Sequence, residues 1–205
     1  MLKVSIDPGH GGQGRGTAIP GGPDEADYCL SFANRVQAEL KRHKVPCIML
    51  REYDQSITLH QRGELAEANG CGLTVSIHVN NGDRSLCGLS CFVWPGDDVG
   101  LSLAMRVVES APWSLHGTAK PIVQIIDEPG HWTGSARAVL RPHTSRQIAA
   151  CLIELGFAYT DTEALLDLGA QAHLAKIIAD CIAQEVQRGR ADDERADEGG
   201  RTQEP

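Results

Sequence analysis

Four side chains in this sequence are of the types that carry hydrolytic metal chemistry. His10 stands between glycines in Ile6-Asp7-Pro8-Gly9-His10-Gly11-Gly12, Glu25 follows Asp24 at the start of a periodic apolar stretch, His78 lies near the end of an alternating run, and Glu154 interrupts the apolar Cys151-Leu-Ile-Glu-Leu-Gly-Phe157. Two imidazoles and one carboxylate are the ligand types of catalytic zinc sites, which keep a fourth position open for water. A carboxylate inside an otherwise apolar strand calls for a partner or a function. Glycines around His10 permit backbone conformations with positive φ and a close approach of the chain to a ligand.

Each of the four also has a plainer reading. Pro8 and the glycines suit an ordinary turn with His10 in solvent. Glu25 suits the first turn of a helix, where the dipole favours an acid. His78 fits as a hydrogen-bonded residue at a strand end, and Glu154 as the ion-pair partner of Arg137 or Arg141. Composition alone does not choose, so the elements that would carry these residues matter.

Residues 4–6 form a short strand ending at Asp7-Pro8, which delivers His10 at its C-terminal end. From Asp24, an N-cap candidate, to about His43 the apolar positions Ala26, Cys29, Leu30, Ala33, Val36 and Leu40 recur at helical spacing, with Glu25 in the first turn. A second strand is expected over 46–50 and a second helix over 58–69, closed by Asn69-Gly70. A third strand, 73–79, brings His78 to its end, a fourth spans 87–94, and a helix follows to about Ser110. The run 151–157 reads as a strand buried on both faces. A last helix is expected over about 162–187. Strands alternating with helices imply an α/β domain with a mixed, mostly parallel sheet flanked by helices, in which ligands bind beyond the carboxyl ends of the strands. His10, His78 and Glu154 all fall on segments that reach that edge.

With 205 residues, 41% of them hydrophobic, a single domain is expected. Residues 1–188 form that domain, and the charged, apolar-poor segment 189–205 is expected to be a disordered tail. The formal net charge of −8 argues against nucleic-acid binding, which needs clustered Lys and Arg. No apolar run is long enough for a membrane span, and no secretory signal follows Met1, so the chain is expected to be cytoplasmic as synthesised. Seven cysteines, an odd number, mostly lie in apolar periodic segments and read as reduced core residues. Cys87 and Cys91 lack the second ligand pair of a zinc knuckle and read as part of a strand.

The ordered motifs resemble those of the zinc-dependent N-acetylmuramoyl-L-alanine amidases of the amidase 3 family. They are IDPGHGG, Glu25 with Asp27 at a helix start, Leu50-Arg51 with Asp54, Leu59, Arg62, Ala68-Asn69, Ser76-Ile77-His78-Val79-Asn80, and Ile153-Glu154-Leu155-Gly156-Phe157. The resemblance spans about residues 2–187. It implies that His10, Glu25 and His78 bind Zn²⁺, that Glu154 is the catalytic carboxylate, and that the sheet has about six strands. It implies cleavage of the amide between N-acetylmuramic acid and L-alanine, with peptidoglycan or a muropeptide as substrate. A monomer is expected. Action at the wall would follow release from the cell, or the chain would be a domain excised from a secreted precursor. The alternatives are a catalytically silent relative that binds wall fragments or a partner, and a zinc amide hydrolase with another substrate.

Other residues are read separately from these four. Ala158-Tyr159-Thr160-Asp161 and Ile148-Ala149-Ala150-Cys151 depart from the family's usual flanks of the Glu154 strand, which bears on substrate contacts more than on the metal. Arg62 and Asn69 read as structural, on a helix behind the site. The segment 114–136, with Trp113, His116, His131 and Trp132 in or beside it, is either a wall of the site or a surface excursion, and His143 is an outside candidate for a further polar group.

Overall fold

In a computed structural model, residues 2–82, 84–111, 122–126 and 134–201 are described. Six strands and six helices follow in the order β1 (Val4–Pro8), α1 (Glu25–Arg42), β2 (Cys47–Met49), α2 (Leu59–Ala68), β3 (Leu73–Asn80), β4 (Ser90–Val93), α3 (Asp98–Ser110), β5 (Ile122–Ile125), α4 (Gly134–Thr144), β6 (Ala149–Phe157), α5 (Thr162–Leu166) and α6 (Leu168–Arg201). One sheet has the strand order β2-β1-β3-β6-β4-β5. β4 runs antiparallel to β6, and the other pairings are parallel. The expected α/β fold with a mixed, mostly parallel six-stranded sheet is the one the chain adopts.

The period-two alternation of the strands divides two very different faces. Val4 and Ile6 of β1, Val75, Ile77 and Val79 of β3, Cys91 and Val93 of β4, and Cys151, Ile153 and Leu155 of β6 join the main core with α1, α3 and α6. The intervening residues of β1 and β3, namely Ser5, Asp7, Thr74, Ser76 and His78, are also buried and are polar. They face the side covered by α2 and α4, where a smaller core of Phe92, Val139, Leu140, Ala150 and Leu152 forms. Glu154 follows Ala150 and Leu152 on that second face.

The element ends follow local chemistry. Asp24 caps α1 by accepting from the Asp27 amide, and Thr58 with Gln61 forms a reciprocal capping box on α2. Asn69 closes α2, its side-chain amide donating to the Leu65 carbonyl at 2.8 Å. All seven cysteines are free; Cys91 lies in β4, which starts at Ser90, later than the expected residue 87.

Three differences from expectation have physical reasons. α4 has no clear sequence signature because its start lies beside the Pro- and Gly-rich stretch and it contains Pro142. The last helix is broken at Asp167, which ends α5 by bonding its amide to Glu163 and accepts the Ala170 amide at the start of α6. α6 then continues to Arg201, past the expected end of the last helix near residue 187. Its buried stripe ends at Val186, and extending an existing helix needs no new nucleus. Trp113, His116, His131 and Trp132 lie outside the described residues. Among the described residues no helix is long and apolar enough to cross a membrane.

Candidate active site

The sheet delivers the four expected side chains to one cavity. β1 ends at Pro8, and the loop after it holds His10 at φ 58°, followed by Gly11 at φ 129° and Gly12 at φ 58°. This left-handed run turns the His10 ring back over the strand ends, a conformation the following glycines adopt at no steric cost. His78, on β3, is the register partner of Glu154 on β6. Just beyond that pair Leu155 and Gly156 oppose Val79 alone, a bulge that shifts the register to Asn80 against Phe157.

Glu25 lies between the two imidazoles. Its Oε1 is 3.2 Å from His10 Nε2 and 3.0 Å from His78 Nδ1, and the His rings sit edge to face with centroids 5.1 Å apart. The donor atoms of all three residues lie within 4.8 Å of one another. Two amides fix the carboxylate: Val79 N donates to Oε1 at 3.1 Å and Thr17 N to Oε2 at 2.9 Å. Burial works to raise the Glu25 carboxyl, yet its hydrogen bonds to His10 and His78 prevail and hold it well below the ordinary range. It is held as an anion.

This donor set fits a zinc ion. Tetrahedral ligands about 2.0–2.1 Å from a metal are separated from one another by about 3.3 Å, close to the spacing of Glu25 Oε1 from each imidazole. Two glycines leave the room. A Cβ on Gly9 would lie 2.5 Å from His78 Cε1, and one on Gly16, at φ +71°, would strike Glu25 Oε2 and lie 2.7 Å from His10 Cδ2. Gly16→Ala is therefore expected to lower zinc affinity at least tenfold, read by competition with a chromophoric chelator; an unchanged affinity would show that this loop does not govern the site.

Glu154 lines the same cavity, of about 560 Å³, whose polar walls include His10, Glu25, His78, Asp7, Arg62, Ser56, Thr58, Asn80 and Asn81. Ile57, Leu59, Ala136, Val139 and Leu152 supply an apolar wall. Burial is the largest influence on the Glu154 carboxyl and, with Glu25 nearby, outweighs His78 to push it up to about 7. Its Oε2 is buried with no hydrogen-bond partner among the described residues. That fails to support the ion-pair reading. Arg141 is exposed and borders two other clefts, and the side chain of Arg137 lies outside the described residues.

Two arginines hold the frame. Arg51, only 1% exposed, donates to the carbonyls of Pro8 (3.0 Å), Gly9 (2.8 Å) and Ala26 (2.7 Å), joining the His10 loop to the first turn of α1. Arg62 donates to the Pro8 carbonyl at 2.8 Å, the His10 carbonyl at 2.7 Å, and the carboxylate of the fully buried Asp7. Ser76 gives Asp7 a second bond at 2.9 Å. Sequence reasoning read Arg62 as structural and drew no role from Arg51. Their part is structural in kind, but the backbone they hold is that of His10.

Ser90 was missed. It sits opposite Glu154 in the β4–β6 ladder, buried, with no hydrogen-bond partner for its hydroxyl among the described residues. A serine in a short alternating strand has no signal of its own. His143, the outside candidate, does not line the cavity; its Nδ1 is 3.2 Å from Thr74 Oγ1 beneath the site, and burial pushes the imidazole down toward its neutral form.

An open mixed α/β sheet whose strand ends bring two histidines and a carboxylate together beside a buried acid defines a class: a domain able to hold a hydrolytic metal at its C-terminal edge. The chain belongs to the N-acetylmuramoyl-L-alanine amidase family Amidase_3, which matches residues 4–184. It is similar to the solved N-acetylmuramoyl-L-alanine amidase AmiC2 of Nostoc punctiforme, with a TM-score of 0.75 and 30% identity over 91% of this chain and 97% of that one. The catalytic domain of CwlV from Bacillus (Paenibacillus) polymyxa var. colistinus superposes with a TM-score of 0.74 at 26% identity, covering 91% and 99% of the two chains. The sporulation-specific N-acetylmuramoyl-L-alanine amidase of Bacillus subtilis is 29% identical over 170 residues, 80% of this chain and 59% of that protein. The chain spans less than half the length of the first curated relatives it matches, 43% and 27%.

Proposed function

We propose that this chain is a zinc-dependent hydrolase that cleaves the amide between N-acetylmuramic acid and L-alanine in peptidoglycan. The observation that carries the reading is the convergence of His10, Glu25 and His78 on one point, with Glu154 on the wall of the same cavity. Family membership supplies the substrate class. His10 Nε2, His78 Nδ1 and a Glu25 oxygen would hold the zinc. Bound there, zinc would polarise the scissile carbonyl and acidify water.

The protein's own groups do the rest. Glu154 accepts a proton from the attacking water and returns it to the leaving amine of alanine as the C–N bond breaks. A carboxyl pushed up to about 7 is suited to both transfers near neutral pH. The Val79 and Thr17 amides keep Glu25 oriented, His10 and His78 keep it ionised, and the apolar wall lowers the polarity around Glu154. The working unit is residues 1–188, acting as a monomer on wall material.

Zinc content and the release of alanine amino termini from purified peptidoglycan test this together. The parent is expected to hold about one zinc and His78→Ala to lose it, with the released termini falling to background. A zinc-loaded parent that frees no such termini would mean another substrate. A parent that binds no zinc would leave a binding module in place of an enzyme.

A further inference from the structure

We propose that Arg84, propped on Tyr159 at the rim of the cavity, is a subsite for a carboxylate on the peptide side of the substrate; this rests on the amidase reading above. Tyr159 belongs to the stretch that departs from the family pattern, and the proposed chemistry gives it no task.

The position follows from the strand ends. Ala158 N donates to the carbonyl of the cavity-lining Asn80 at 2.9 Å, so Tyr159 leaves the sheet beside the cavity mouth. Arg84 comes three residues after Asn81, which also lines the cavity, and three residues span at most about 11 Å. The two side chains meet there: the Arg84 guanidinium carbon is 4.7 Å from the centroid of the Tyr159 ring, which is 48% exposed.

The loop that presents Arg84 is strapped down rather than loose. Thr160 Oγ1 donates to the Leu86 carbonyl, and one Asp161 oxygen accepts both the Gly88 amide at 2.8 Å and the Phe157 amide at 2.7 Å. Among the described residues no carboxylate pairs with Arg84. By contrast Arg15, on the other side of the His10 loop, is already claimed by Asp24, Asp27 and Asp54. A guanidinium stacked on one face of an aromatic ring keeps its edge donors free, the geometry that receives a carboxylate.

Chemistry decides which part of the substrate supplies that group. The muramic carboxyl is consumed in the scissile amide and an N-acetylated glycan carries no charge there, so the carboxylate comes from the peptide. With Glu25 and Glu154 inside the cavity, a cation at its mouth offsets the repulsion an acidic peptide would meet.

The test uses two muramoyl dipeptides that differ only in a carboxylate or a carboxamide on the residue after alanine. The zinc-loaded parent is expected to prefer the carboxylate roughly tenfold in kcat/KM, mainly through KM. Arg84→Met and Tyr159→Ala should bring the ratio to near one while leaving cleavage of the carboxamide unchanged, and Tyr159→Phe should keep the preference. Equal slowing of both compounds, or no preference in the parent, overturns the subsite. Should the parent cleave neither, the amidase reading fails. Calorimetric titration of the same pair into the zinc-loaded parent and Arg84→Met then decides the subsite: carboxylate-selective binding that the variant loses upholds it, and equal or absent binding overturns it.

Discussion

Glu154→Gln is expected to lower turnover of a muramoyl-peptide amide by roughly 10²–10⁴-fold while leaving zinc bound, because the amide keeps the shape of the side chain and cannot take a proton. The same substitution should stabilise the metal-free fold above neutral pH. Folding raises the Glu154 carboxyl from 4.5 to about 7, so between those values the folded state holds a proton that the unfolded chain has released. Stability therefore falls as pH rises through this window, by roughly 3 kcal/mol once the group is ionised. Glutamine has nothing to ionise. Denaturant unfolding of the chelator-treated proteins should find them alike at pH 4 and the variant more stable at pH 8, and equal stability at both would show that Glu154 is not held against ionisation. An active site that places an uncompensated acid in its wall loses stability in exchange for a group poised to move protons.

The second large effect is at Arg62. Arg62→Ala is expected to destabilise the protein by about 3–5 kcal/mol at pH 7, since it leaves Asp7 ionised and buried with Ser76 as its remaining side-chain donor among the described residues and strips a donor from the carbonyls of Pro8 and His10. The pH dependence identifies the cause. Burial alone would raise the Asp7 carboxyl, and Arg62 is foremost among the groups that reverse this and hold it below its ordinary value. In the parent the contribution of Asp7 is present above about pH 4 and is lost as pH falls through the depressed folded value. In the variant burial prevails and the carboxyl rises, so protonation relieves the strain and the deficit should narrow toward pH 4. Adding Asp7→Asn should recover part of the loss at pH 7. A deficit under about 1 kcal/mol at pH 7 would mean that water reaches Asp7 in place of the guanidinium.

The main helices and strands could be read from the chain because their apolar residues recur at the periods of helix and strand, and their caps are made locally. Asp24 and Thr58 bond amides three residues away, so the starts of α1 and α2 are set within a few residues. The four site residues were visible for a related reason: His10 among glycines and Glu154 among apolar residues break the pattern of their own segments. α4 was not legible, since its place is set by packing Val139 and Leu140 against Phe92 and Leu152 from distant strands.

What the sequence determined by itself was the set of parts: the ligand types, the strands that deliver them, and the alternation that puts Asp7, Ser76 and His78 on a different face from Ile6, Val75 and Ile77. What only the tertiary structure decided was their meeting. Glu25 reaches His78 across 53 positions, Arg62 reaches Asp7 across 55, and Glu154 comes to face His78 because β6 inserts beside β3. The electrostatics arise there as well. Glu25 and Glu154 are residues of one type, and one is held down by two imidazoles while the other is pushed up by burial. Burial and charge proximity are properties of the folded chain, and they are what separates the two carboxyls.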